Sequence, residues 1–236
     1  MTKTSVRAVL PSRPGLSRAD RAMWDRLYAK SPLQELPWFT SGPYPPLVRA
    51  VEAGWLTPPG PLLDVGCGLG ANAQWLAAQG FDVTGADVAP GAIAAAESRR
   101  SEAGPNARFL VDDILATHLP AGRFRGAIDT GCFHTLPARR RTDYAQGLAR
   151  VLRPEAPFLL FWVAREEEGP WGPPHRLSVR DVVEPFEPHF RVDHIVHRPR
   201  PTTLTRAVRR STRPLTALAG YTARLVRRRT TQPPPR

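Results

Sequence analysis

The residues with the most chemistry in them stand together in Asp64-Val65-Gly66-Cys67-Gly68-Leu69-Gly70. Glycines at alternate positions permit a tight turn and let a ligand approach the main chain, and the free N–H groups of a following helix start suit a carboxylate. More acids recur downstream: Asp87, the pair Asp112-Asp113, and Asp129. An acid at the place of Asp87 is set to accept hydrogen bonds from ribose hydroxyls. Together these acids suit a ligand with amino, hydroxyl and amine groups, and like charge makes them hostile to a pyrophosphate. Gly66-x-Gly68-x-x-Ala71 alone also meets the loose dinucleotide fingerprint, so a nucleotide-dependent oxidoreductase stays open on the glycines by themselves.

Proton handling points first to His134, whose ordinary pKa of ~6.5 lets it accept a proton near neutrality. Asp129 is the second candidate base and His175 the third. The two cysteines, Cys67 and Cys132, exclude a disulfide scaffold. They follow neighbouring strands, which leaves open either space-filling or a redox-sensitive pair at the rim of the site. No metal is expected.

These residues need elements that bring strand ends together. Residues 61–65, 81–86, 107–111, 124–129 and 156–164 read as strands, the last nearly all apolar as befits a strand covered on both faces. Helices are expected over 71–79, closed by Gly80, from Pro90 onward, and over 137–152, where Tyr144, Leu148, Val151 and Leu152 share a face. Strands alternating with helices predict an α/β protein with a doubly wound parallel sheet. Upstream, Ser17-Arg18-Ala19-Asp20 starts a helix ending near Lys30, residues 31–46 form an aromatic, Pro-rich loop, and 47–55 a short helix. Downstream, Ser178 caps a helix through Phe186, and residues 190–197 alternate like a strand that 202–210 could pair with.

Residues 61–197 resemble a class I S-adenosylmethionine-dependent methyltransferase. Asp64-Val-Gly66-Cys67-Gly68-Leu-Gly70 is similar to that family's first motif, which holds the methionine moiety. The resemblance places Asp87 and Val88 at the ribose, Asp113-Ile114 at the adenine by carboxylate and backbone N–H, and Asp129 in the motif after strand four. It implies a seven-stranded, mostly parallel sheet and S-adenosyl-L-methionine as cofactor. Trp24-x-x-x-Tyr28, Leu36-Pro37-Trp38, Pro46-Leu47-Val48, Asp129-Thr-Gly-Cys-Phe-His134 and Leu148-Ala-Arg-Val-Leu-Arg153-Pro154 look like the thiol, thiopurine, halide and tellurite-resistance type, with its N-terminal helical cap. Glu155-Ala156-Pro157 departs from that type's usual Gly-Gly. Trp24, Trp38 and Phe133 are expected to offer aromatic faces to the cationic sulfonium. The acceptor is expected to be a small molecule, with a thiol or other soft nucleophile favoured over a hydroxyl. A natural-product hydroxyl or nucleic acid is the alternative. The Asp/Asn-Pro-Pro-Tyr/Phe segment of base-amino methylation is missing after strand four.

Charge bears on the same question. Of 33 Lys and Arg, eleven arginines lie from Arg198 to the end with no acid among them, so the net +12 belongs largely to one end. The remainder is nearly neutral, which argues against a required nucleic-acid partner. The expected organisation is a loose arm over 1–16, a cap and substrate lid over 17–60, a methyltransferase core over 61–210 and a basic mobile tail over 211–236. In that tail Leu215, Leu218, Tyr221 or Thr222, and Leu225 recur at helical spacing, so weak contact with an anionic membrane or nucleic acid is the sharper reading and a solvated extension the blander. A cytoplasmic monomer is expected: the longest apolar run, 158–164, is far below the ~20 residues of a membrane span.

Overall fold

Short apolar runs interleaved with amphipathic helices build a sheet covered on both faces. The computed structural model describes residues 14–30, 33–36, 38–99, 107–166, 174–198 and 220–229. Its strands are β1 (Leu62–Val65), β2 (Val83–Asp87), β3 (Ala107–Val111), β4 (Gly126–Asp129), β5 (Pro157–Val163), β6 (Phe190–Arg198) and β7 (Gly220–Arg227). They lie in the order β3-β2-β1-β4-β5-β7-β6. All pairings among β1 to β5 are parallel, and β7 runs antiparallel to both β5 and β6. The strand order reverses between β1 and β4, which opens a crevice above their carboxyl ends. This is the expected doubly wound, seven-stranded, mostly parallel sheet.

The helices are α1 (Arg18–Lys30), α2 (Pro45–Glu52), α3 (Ala71–Ala78), α4 (Pro90–Ser98), α5 (Ala138–Val151) and α6 (Val179–Phe186). Ser17 Oγ accepts the Asp20 N–H at 3.1 Å to open α1, and Ser178 with Asp181 makes a full capping box on α6. α2 begins at Pro45, two residues earlier than the sequence predicts, because a proline is at home in a first turn. One core layer joins α5 and α6 to the sheet through Tyr144, Leu148, Phe158 and Phe186. The other joins α2 and α3 to the opposite face through Leu47, Leu56, Leu76 and Phe161.

Two expectations are corrected here. The segment taken for a mobile tail contains β7, a strand between β5 and β6, with Ala223 and Leu225 each 1% exposed. Of the residues read at helical spacing, Tyr221, Thr222 and Leu225 lie in β7, where a strand buried on both faces has no clean alternation, and Leu215 and Leu218 lie outside the described residues. Three of its arginines are committed to the protein. Arg227 Nε donates to Ala149 O at 2.9 Å, Arg228 Nε to Phe190 O at 2.9 Å, and the Arg224 guanidinium lies 5.2 Å from the Trp55 ring centre. The core boundary at residue 210 therefore falls too early. The partner expected for β6 at 202–210 lies outside the described residues; among the described ones β6 pairs with β7. The arm is the second case: residues 1–13 lie outside the described residues, but Pro14 to Leu16 are tied down. Arg140 donates to the carbonyls of Pro14 and Gly15, and Leu16 N–H to Asp113.

The cap is joined to the core. Asp25 on α1 accepts the Gly91 N–H at 2.8 Å, setting a carboxylate at the N-terminus of α4. Glu155, where the resemblance expects glycine, takes glycine's left-handed backbone at φ 63°. Among the described residues no helix is long and apolar enough to cross a membrane.

Candidate active site

The turn from β1 into α3 needs the glycines. Gly66 and Gly68 have φ of 66° and 51°, a region costly for residues with a Cβ. A Cβ on Gly66 would fall 2.4 Å from Cys132 Cβ, and one on Gly68 would fall 3.0 Å from Tyr28 Oη. The loop thus passes under the cap and against the β4 loop, and it forms the floor of a cavity of about 230 Å³. Gly66→Ala is expected to lower the melting temperature by several degrees and to weaken uptake of S-adenosylhomocysteine at least tenfold, since the left-handed backbone alone costs a non-glycine residue about 1–2 kcal/mol. Calorimetric titration beside a thermal melt checks this, and unchanged affinity would refute it.

Asp87, Asp112 and Asp113 line the floor, with Asp64 buried beneath it, and each is held differently. Asp87, at the end of β2, accepts the N–H groups of Gly68 and Ala89, both at 3.0 Å, and so ties the glycine loop to its neighbour strand. Burial pushes its carboxyl above the ordinary value, against the pull of those N–H groups. Asp64, 1% exposed, accepts no hydrogen bond of good geometry on either oxygen. Burial first, then the charges of Asp129 and Asp87, push it up to about 8, and the poorly placed Ala73 N–H offsets this only in part. At the far end of the ring, Asp113 accepts Leu115 N–H at 3.0 Å and also the Leu16 N–H of the arm. The buried acceptor left over there is Asp112 Oδ1, which has no partner. Val88 and Ile114 line the cavity. Orphaned carboxylate oxygens beside a glycine cradle fit a ligand that brings cations and amino groups to be satisfied.

Asp129 corrects the expectation of a base or a cofactor contact. Oδ1 accepts Gly131 N–H at 2.8 Å and Cys132 N–H at 2.7 Å, while Oδ2 accepts Phe133 N–H at 2.9 Å and Tyr144 Oη–H at 2.6 Å. With four donors on two oxygens and 0% exposure, it braces the loop after β4 and has no lone pair left for a proton. His134 faces the cavity and is 1% exposed. Its Nδ1 accepts Val163 N–H at 3.2 Å, so in the neutral ring the proton sits on Nε2. Burial, aided by the neighbouring His175, drops its pKa to about 3. The ring is thus a hydrogen-bond donor to the cavity, not the base expected. His175 stands beyond it, itself shifted down by burial and by Arg141.

The roof is aromatic. Trp24 and Trp38 meet edge to face at 5.8 Å, and Trp38 Nε1 donates to Tyr28 Oη at 3.1 Å. Phe133, expected among these faces, points into the core against Tyr144 and Phe186 and is 0% exposed. Sequence reasoning missed several wall residues: Tyr28, Tyr44, Asn72, Thr130 and Phe161. Asn72 joins three loops, donating to Thr130 Oγ1 at 2.9 Å and accepting Tyr44 N–H at 2.8 Å. A polar side chain in the first turn after the glycine loop was its only signal. Cys67 and Cys132 both line the cavity, and burial holds both thiols well above their ordinary pKa. That is the reverse of what a redox-sensing thiolate needs.

Comparison with known proteins agrees with this geometry. The family described as "Methyltransferase domain" matches residues 62–155. The chain is 33% identical over 161 residues to the 2-heptyl-1-hydroxyquinolin-4(1H)-one methyltransferase of Mycobacteroides abscessus, which covers 67% of this chain and 70% of that one. Among solved structures, one described as the conversion of a disulfide bond into a thioacetal group during echinomycin biosynthesis superposes with a TM-score of 0.75 at 26% identity, over 90% of this chain and 94% of that one. A TehB-like methyltransferase from Corynebacterium glutamicum shares the fold with a TM-score of 0.59 at 17% identity, over 90% of this chain and all of that one, at 100%. These likenesses set aside the oxidoreductase reading. A glycine cradle, carboxylates with oxygens to spare and a relative aligned over two thirds of both chains agree: this chain belongs to the class I S-adenosylmethionine-dependent methyltransferases.

Proposed function

We propose that this enzyme methylates a small, largely apolar acceptor whose nucleophilic atom, a thiolate or similarly soft anion, reaches the cavity already deprotonated. One observation carries the reading: neither of the two leading base candidates is free to take a proton. Asp129 has donors on both oxygens, and His134 presents Nε2–H with its Nδ1 taken. A hydroxyl of ordinary acidity needs a base within hydrogen-bond reach, whereas a soft, acidic nucleophile does not. The aromatic roof suits an apolar acceptor body. The relatives add support from two chemistries: one is named for a hydroxyquinolone, the other for converting a disulfide into a thioacetal.

The cofactor supplies an activated methyl group when bound. The residues proposed to hold it are the loop Gly66, Cys67, Gly68 and Gly70, with Asp64, Asp87, Val88, Asp112, Asp113 and Ile114 around it. Trp38 and Tyr28 close over the loop and exclude water. Alignment of nucleophile and methyl carbon in one closed cavity can account for roughly 7–11 kcal/mol of the barrier.

Labelled-methyl transfer across thiols, halides, chalcogen oxyanions, phenols, simple alcohols and RNA tests the proposal. Thiols and acidic phenols are expected to react, with rates that rise through each acceptor's own pKa. Asp87→Ala is expected to abolish turnover and S-adenosylhomocysteine binding together. Transfer to simple alcohols or RNA with none to thiols or phenols would overturn the reading.

A further inference from the structure

His134 is left without a task once it is set aside as a base. It stands in the short turn Phe133–Thr135 after β4. That turn abuts the cofactor cradle, because Cys132, the residue before it, lies so close to Gly66 that a Cβ there would fall 2.4 Å from its own. Thr135, Leu136, Phe161 and Pro174 line the same cavity beside it. A group held at His134 therefore sits next to the cradle, among largely apolar walls.

The turn is braced from every side. Asp129 accepts the Phe133 N–H, the Phe133 ring is buried against Tyr144 and Phe186, and Thr135 Oγ1 donates to Cys132 O at 2.7 Å. Arg141 Nε donates to Leu136 O at 3.3 Å from behind. The imidazole itself meets the Phe161 ring edge to face at 6.2 Å, and the Val163 N–H occupies its Nδ1. A side chain locked in this way presents its last polar atom in one direction.

That atom is Nε2. Among the described residues the one hydrogen bond His134 makes is with Val163, so nothing there accepts from Nε2–H. Nor is Nε2 among the sealed polar atoms that lack a partner, so the 1% of His134 that is exposed includes it, and His134 lines the cavity. The groups facing the ring are His175 and, beyond it, Arg141, which stands 3.6 Å from Asp181. With burial they keep the imidazole neutral, so Nε2–H is a donor without charge and without a lone pair. Such a group is satisfied by an oxygen and left unpaired by a hydrocarbon or another N–H.

We infer that His134, through Nε2–H, binds a carbonyl or phenolate oxygen carried beside the nucleophilic atom of the methyl acceptor, and so orients that atom for transfer. The inference rests on the soft-nucleophile reading above and names a second group the acceptor carries. In the transfer, a lone pair of the thiolate forms the new bond to the methyl carbon while the old carbon–sulfur pair returns to the cofactor's sulfur. The hydrogen bond at His134 holds the neighbouring oxygen throughout, and its proton stays on Nε2.

Two thiols of one shape test it: 1-(2-sulfanylphenyl)ethanone, with a carbonyl beside the sulfur, and 2-isopropylbenzenethiol, its hydrocarbon isostere. Methyl transfer is measured with full-length protein and saturating S-adenosylmethionine, at a pH where both are thiolates, and the readout is the ratio of kcat/KM, ketone over hydrocarbon. His134→Phe is expected to lower that ratio about tenfold, mostly through the KM of the ketone, as the loss of one buried hydrogen bond warrants. His134→Gln keeps a side-chain N–H and has no atom that takes a proton, and is expected to hold the ratio within about threefold of wild type. A measurement on the wild type alone stands beside these: in protein labelled with 15N-histidine and saturated with S-adenosylhomocysteine, Nε2 of His134 is expected to shift on addition of the ketone and not of the hydrocarbon. A ratio unchanged in His134→Phe, a ratio lowered as far by His134→Gln as by His134→Phe, or an unmoved Nε2 resonance would overturn the inference. Turnover of neither thiol by protein that binds S-adenosylmethionine would strike the soft-nucleophile reading and the inference with it, and failure to bind the cofactor would strike methyl transfer itself.

Discussion

A chain ending at residue 219 is expected not to fold. It lacks β7, which pairs with β5 from Pro157↔Val226 to Val163↔Gly220 and with β6 along its other edge. Its loss would strip β5 of hydrogen-bond partners along one side and detach β6 from the sheet. Leu225 and Val226, 1% and 7% exposed, would also go, at roughly 1.5–3 kcal/mol for each large apolar side chain withdrawn from burial. Against a total stability of about 5–15 kcal/mol, that loss with the unpaired backbone is decisive. The anchors of Arg227 and Arg228 on the carbonyls of Ala149, Glu187 and Phe190 disappear as well. Circular dichroism during a thermal melt, with size-exclusion chromatography, is expected to find no cooperative transition and a tendency to aggregate through the bared β5 edge. A cooperative melt within a few degrees of the full-length protein would show that the last strand is dispensable.

The same strand marks where the sequence stops being legible. The strands β1 to β5 announce themselves, because a parallel sheet demands short apolar runs punctuated by helices, and the glycine loop declares the place where a ligand sits. β7 does not. Lying between two strands and covered on both faces, it has neither alternation nor a helical stripe, and its arginines carry the look of a solvated tail. Their partners are main-chain carbonyls and a tryptophan ring, which no composition reveals. The carboxylates divide along similar lines. Their positions at strand ends are visible in the spacing, but their duties depend on which donors turn toward them. Asp129 is saturated because the loop after β4 curls back and points three N–H groups at it. Asp113 is engaged because residue 16 of a distant arm reaches it, leaving Asp112 Oδ1 as the spare acceptor. His134 loses its role as base through one N–H of β5, a contact 29 residues away in the chain. Arg198 lay at the head of what looked like an excess of charge and is a wall residue's neighbour. Glu155 shows the converse: the backbone keeps a glycine's conformation at a position where the chain has given up the glycine.

Asp64 yields the other large effect, and its sign can be worked out. An ordinary aspartate ionises near 3.9, while Asp64 in the fold is pushed up to about 8 by burial and by Asp129 and Asp87. Between those values the folded protein holds a proton that the unfolded chain has released. Stability therefore falls as pH rises through that window, by up to about 1.4 kcal/mol per pH unit, and levels off above pH 8. Asp64→Asn removes this titration. The melting temperature of the wild type is expected to fall relative to that of the variant between pH 5 and pH 8, whatever the offset between them at pH 5. A cation arriving at the glycine loop reverses the balance by favouring the ionised carboxyl, so ligand binding near pH 7 is expected to release a proton. Titrating S-adenosylmethionine in buffers of different ionisation enthalpy measures this directly. The wild type should show net proton release at pH 7 that fades by pH 9, together with affinity that rises over the same range. Asp64→Asn should bind at least tenfold more weakly and release no such proton, since a neutral amide cannot answer the incoming charge. A variant that keeps both the wild-type affinity and the wild-type proton release would mean that Asp64 only fills space beneath the loop, and that the negative potential of the floor comes from Asp87 and its neighbours alone.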